Sequence, residues 1–112
     1  MGRKAPGAGE ACREVRPVVK LEWLPLALRD FDEIIDYIAA DNPLAAIEQG
    51  DEIERQVTAL LDNRHLGRPG RVKGTRELVV VHTPYIVAYR VGKGCIQVLR
   101  VLHGARMWPD EF

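Results

Sequence analysis

Residues 75–103 read TRELVVVHTPYIVAYRVGKGCIQVLRVLH. Three apolar, β-branched runs are separated by two turn signals, His82-Thr83-Pro84 and Gly92-Lys93-Gly94. Connections this short join antiparallel neighbours. The stretch therefore predicts a meander with strands over 75–81, 85–91 and 95–103.

Upstream, Leu66 to Lys73 reads LGRPGRVK, a basic loop. Before it, Ala46, Gly50, Ile53, Val57, Leu60 and Leu61 fall on one helical stripe, which predicts a helix over 43–64. Gly50 in that stripe weakens the helix by roughly 1 kcal/mol relative to Ala. A close approach by a second helix accounts for it. Asp41-Asn42-Pro43 punctuates the chain, with Asn42 suited to capping and Pro43 to the first helical position. The preceding segment carries Leu28, Phe31, Ile35 and Ile38 at helical spacing, with Ile34 alongside and Asp30, Asp32, Glu33 and Asp36 on the outer faces. It predicts a helix of about 15 residues starting near Pro25. Alternation over Val18–Trp23 predicts a first, half-buried strand. The expected order is β-α-α-β-β-β, an α+β fold with a helical hairpin packed on a mostly antiparallel sheet.

The 112 residues suffice for one domain. Residues 1–16, poor in apolar side chains, are read as a flexible tail ahead of a single domain over 17–112. The opening has no apolar signal-peptide core, and no apolar run approaches the ~20 residues of a membrane span. Cys12 and Cys95 are too few for a disulfide framework and are read as reduced thiols of a cytoplasmic protein. The histidines, His65, His82 and His103, do not cluster with them at ligand spacing, so neither a metal nor a cofactor is expected. Net charge is zero, yet residues 18–64 hold four basic against eleven acidic groups, and residues 65–112 hold eight against three. One acidic and one basic region follow.

Several stretches, taken in order, resemble the RelE/ParE superfamily of toxins. They are Asp30-Phe31-x-x-Ile34-x-x-Tyr37-Ile38, Asn42-Pro43-x-Ala45-Ala46, the run Gly67 to Leu78, Tyr85-Ile86-Val87-x-Tyr89-Arg90-Val91, and Ile96 to Arg106. The resemblance covers about residues 18–109. It implies a toxin neutralised by a co-expressed ParD-like antitoxin, in a heterotetramer or larger complex that meets operator DNA only through the antitoxin.

Members of this superfamily either cleave messenger RNA on the ribosome or poison DNA gyrase. RNA cleavage through the 2′-hydroxyl requires an activated nucleophile, stabilisation of the phosphorane and a proton for the leaving oxygen. Ribonucleases of this superfamily project Lys and Arg from the middle strand and place an Arg and a Tyr near the C-terminus; the corresponding stretch of this chain reads Glu77-Leu78-Val79-Val80-Val81. Arg76, His103 and Arg106 are the candidate set for a ribonuclease, and that set lacks the C-terminal tyrosine. The reading therefore leans to a gyrase poison without catalysis, with Arg68, Arg71, Lys73, Arg106 and Trp108 as the target surface. The ribonuclease, or a non-toxic binding module in an autoregulatory repressor complex, is the alternative. For the antitoxin, the expected contacts are Leu28, Ile35, Tyr85, Tyr89, Arg90 and Arg100.

Overall fold

Asn42 ends one helix and starts the next. Its backbone N–H donates to the Ile38 carbonyl at 2.8 Å. Its side chain accepts from the Ala45 N–H at 3.1 Å, and Pro43 occupies the first turn beyond it. In the computed structural model, which describes residues 20–105 and 108–109, these helices are α1 (Pro25–Asp41) and α2 (Pro43–Thr58). The tail over 1–16, Cys12 and Arg106 lie outside the described residues. Gly50 sets the helix spacing as expected: a Cβ there would stand 2.9 Å from Ile35 Cδ1. The second helix stops earlier than predicted, giving way to a 3₁₀ turn over Ala59–Leu61.

The strands are β1 (Lys20–Trp23), β2 (Arg68–Pro69), β3 (Arg76–Val79), β4 (Tyr85–Gly92) and β5 (Cys95–His103), in sheet order β1-β5-β4-β3-β2. Only β1 runs parallel to its neighbour, β5; the other pairings are antiparallel. The expected meander is present. The basic loop is more ordered than predicted, because Arg68 and Pro69 pair with Glu77 and Arg76 as a short edge strand.

The core lies between hairpin and sheet. Ala27, Ile53, Val57 and Leu60 from the helices meet Val80, Val87, Tyr89, Ile96, Val98 and Val101 from the sheet side. Trp23 and Phe31 close one end edge to face, with ring centroids 5.5 Å apart. The inner stripe of α1 differs from the predicted one. Ala27 and Asp30 are buried, whereas Leu28 is 49% exposed. Leu61 is also exposed, because the chain has already left the helical path.

A bulge in β5 reorganises one edge of the sheet. Tyr89 pairs with Val98 but Ala88 pairs with Arg100, leaving Leu99 as the extra residue. Ile96 and Val98 face the core before it, and Val101 after it. β1 ends opposite Val98, and the Leu24 N–H still donates to the Val98 carbonyl. Beyond that point α1 takes over, and Asp30 accepts from the Val101 N–H at 3.1 Å. At the other side of the sheet, the Gln56 side chain donates to the Val81 carbonyl and accepts from its N–H.

The expectation of reduced thiols is corrected for Cys95, which is disulfide-bonded and fully buried opposite Lys20. A low cysteine count argues against a framework of bridges, but a single bridge needs only one well-placed pair. No helix among the described residues is long and apolar enough to cross a membrane.

Candidate functional site

The basic loop is built around one buried carboxylate. Glu77, 2% exposed, accepts from Arg68 Nη2 at 3.2 Å and from the Arg71 backbone N–H at 2.8 Å; Arg71 Nε lies 3.4 Å away. Such a charge is tolerated in the interior only when it is paired and hydrogen-bonded. Two guanidiniums share one carboxylate, so surplus positive charge remains at the surface. Arg68 and Arg71 are about half exposed, and Lys73 is exposed beside them. The Arg71 guanidinium also lies 4.1 Å over the Trp108 ring, a cation–π contact that holds the C-terminal segment against the loop.

The loop backbone is held from below. The fully buried Tyr89 donates its hydroxyl to the Arg64 carbonyl at 2.9 Å and accepts from the Gly67 N–H at 2.9 Å. Gly67 has no room for a side chain, since a Cβ would stand 2.7 Å from the Glu77 carbonyl and 2.8 Å from the Tyr89 hydroxyl. Thr75 Oγ1 donates to the Val72 carbonyl, and Gly74 turns the chain at φ +82°. The result is a preformed cationic platform. It can bind an anionic or polar partner surface.

Arg76 and His103 are not brought together. Arg76 Nε donates to the Gly67 carbonyl at 3.0 Å, and Nη2 to that of His65 at 3.3 Å. Arg76 pairs with Tyr89 and His103 with Tyr85, on opposite flanks of β4. Four residues of strand separate those positions, roughly 13 Å along the sheet. His103 Nδ1 accepts from the Ala105 N–H, and its ring meets Tyr85 edge on. Arg106, the third candidate, lies outside the described residues.

The residues expected to meet an antitoxin are divided between surface and interior. Leu28 is exposed and Ile35 is half-buried against Gly50. Arg90 is exposed and reaches Gln97 Oε1 at 3.3–3.4 Å. Tyr89 is a correction, because its side chain is interior and its hydroxyl serves the loop. Tyr85 is 7% exposed and lines a depression beside α1. The Arg100 guanidinium is engaged by Asp30 of the same chain, at 2.7 and 3.1 Å.

The family model for the ParE toxin of type II toxin–antitoxin systems, parDE, matches residues 21–108. The chain belongs to the ParE toxin family. Among its relatives is the candidate toxin Y4kP of Sinorhizobium fredii, 42% identical over 81% of this chain and 94% of the relative. Toxin RelE2 of Caulobacter vibrioides is 33% identical over 80% of this chain and all of the relative. A solved structure titled as a chromosomal ParDE toxin–antitoxin system from P. aeruginosa superposes with a TM-score of 0.72. It is 31% identical and covers 79% of this chain and 98% of its own. The fold of this ParE-family toxin is thus the predicted α+β arrangement.

Two residues central to the ParE-family chain have no functional signature in the sequence alone. Glu77 shows there only as an acid interrupting a basic stretch. Asp30 is expected on the outer face of its helix; its spacing from Ala27 and Ile34 is the signal that puts it on the inner one. Hydrogen bonding to Asp30 raises the Arg100 pKa above its ordinary value. Burial, followed by the neighbouring Tyr37, raises that of Tyr85.

Proposed function

We propose that this chain is a non-catalytic toxin that inhibits DNA gyrase and is neutralised by a ParD-like antitoxin. The observation that carries the reading is the separation of Arg76 from His103, with Arg76 committed to two backbone carbonyls. RNA cleavage needs its acid, base and charge-stabilising groups around one phosphate. A surface that traps a target enzyme needs only complementary shape and charge, which Arg68, Arg71, Lys73 and Trp108 offer on one loop-and-tail platform.

The antitoxin partner is supported by the ParDE title of the P. aeruginosa structure. A heterotetramer or larger complex, touching operator DNA through the antitoxin, is proposed with it. A gyrase target places the chain in the cytoplasm. The location rests on that target, since Cys95 carries no free thiol to argue from.

Purified chain added to gyrase and relaxed plasmid tests the reading directly. Supercoiling is expected to fall and cleaved DNA to accumulate, with transcripts left intact in ribosome-containing extracts. Unchanged supercoiling at molar excess overturns the proposal. Transcript cleavage in the same extracts would establish the ribonuclease, and a chain that does neither and arrests no growth would be the binding module.

A further inference from the structure

Away from the basic loop, α1 and the ends of β4 and β5 border a depression of about 160 Å³. Asp30, Glu33, Tyr37, Tyr85 and His103 line it, together with the apolar Ile34 and Val101. Its volume is about half the lower end of the ~300–1,000 Å³ of small-molecule sites. It therefore suits one side chain rather than a cofactor.

Tyr85 carries the argument. It is 7% exposed, and its hydroxyl makes no hydrogen bond to any described residue. The rest of the side chain is packed away, and the hydroxyl opens on the depression, where a partner group can reach it. The fold satisfies the phenol of Tyr89 twice over, so the open one at Tyr85 stands out. Burial keeps the Tyr85 phenol neutral beyond the ordinary range, able both to donate and to accept.

The other walls agree on the charge of the missing group. Asp30 is matched by Arg100. Among the described residues Glu33 pairs with Arg29, at 3.6 Å, with both side chains about 70% exposed, a pair that is weak in water, and it adds to the negative field that Arg100 feels. Tyr37 is 79% exposed, an aromatic ring that the core does not use. Asp36 follows Glu33 by one turn of the helix, in the half of the chain where acids outnumber bases.

We propose that this depression receives a single arginine or lysine side chain from a partner protein. The Tyr85 oxygen accepts an N–H, Glu33 supplies the counter-charge, and the Tyr37 ring offers its face. Ile34 and Val101 pack the methylene stem. That the partner is the antitoxin rests on the reading above; the cation chemistry does not.

The test titrates the purified chain with n-butylguanidinium and n-butylammonium, with n-butanol and butyrate as controls, following His103 and tyrosine ring signals by NMR. Saturable shifts with the two cations alone are expected. Glu33→Gln and Tyr85→Phe should each weaken them about tenfold, with the amide spectrum still that of the folded chain. Equal shifts from n-butanol, no saturable shift, or affinity unchanged in both variants would overturn the proposal. A supercoiling assay on Tyr85→Phe separates the two readings. Lost cation binding with gyrase inhibition retained assigns the depression to a partner other than the target. Lost inhibition in a folded Tyr85→Phe chain overturns the assignment to an antitoxin.

Discussion

Asp30 and Arg100 form a two-pronged ion pair across the edge of the sheet, Nε to Oδ2 at 2.7 Å and Nη2 to Oδ1 at 3.1 Å. The same carboxylate accepts from the Val101 N–H, on the flank of β5 where β1 has ended and no strand continues, opposite the flank paired with β4. One acid thus fastens α1 to β5 and completes the hydrogen bonding of an open edge. Asp30→Ala leaves a largely buried guanidinium and a backbone N–H unmatched, and is expected to lower stability by about 2–4 kcal/mol. Chemical denaturation checks the loss. A double-mutant cycle with Arg100→Met should recover part of it, and purely additive effects would show that the pair is not coupled.

Gly67 and Gly50 both lack space for a side chain, with different consequences. At Gly67 the obstacles are a backbone carbonyl and an anchored phenol, at 2.7 and 2.8 Å. Gly67→Ala must displace the loop and should be destabilising by about 1–3 kcal/mol. At Gly50 the obstacle is the terminal methyl of Ile35, which can rotate. Gly50→Ala also gains helix propensity of about 1 kcal/mol, so its net change should stay within about 1 kcal/mol. Melting curves of the two variants, side by side, decide it.

Tyr89→Phe removes both hydroxyl contacts under the loop and strands the buried Gly67 N–H. A loss of about 1–3 kcal/mol is expected, with faster hydrogen exchange at Gly67 as the local signature. Unaltered exchange there would mean that the loop does not depend on the phenol.

Stability should fall in alkali through Tyr85. Its folded pKa is raised above the ordinary 10, so the unfolded chain loses the proton first. The contribution is fully present below about pH 10 and disappears as pH rises through the folded value. Denaturation midpoints between neutral pH and the alkaline range should decline less steeply in Tyr85→Phe than in the parent chain.

Lys73 separates binding from folding. It is exposed on the platform and carries none of the contacts that Arg68, Arg71 and Arg76 make. Lys73→Glu should change stability by no more than about 0.5 kcal/mol yet weaken gyrase inhibition about tenfold through charge reversal. Full inhibition by the folded variant would move the target surface elsewhere.

Much of this protein was written in local pattern. The turns at 82–84 and 92–94 set the meander, Asn42-Pro43 set the hairpin, and Gly50 announced where the helices meet, because strand alternation, capping and helix spacing are short-range properties of the chain. The ordered stretches from Asp30 to Arg106 also carried the family. What a side chain does once the elements pack is a long-range matter, and there the outcome was decided in three dimensions. The bulge at Leu99 changes which β5 residues face the core, and Arg100 meets Asp30 across 70 positions of chain. Glu77, an acid among arginines, becomes the buried anchor of the basic loop; Tyr89 becomes interior, and Arg76 and His103 part to opposite flanks of β4. Burial and partner choice depend on which distant groups share a volume, and only the packed fold fixes that.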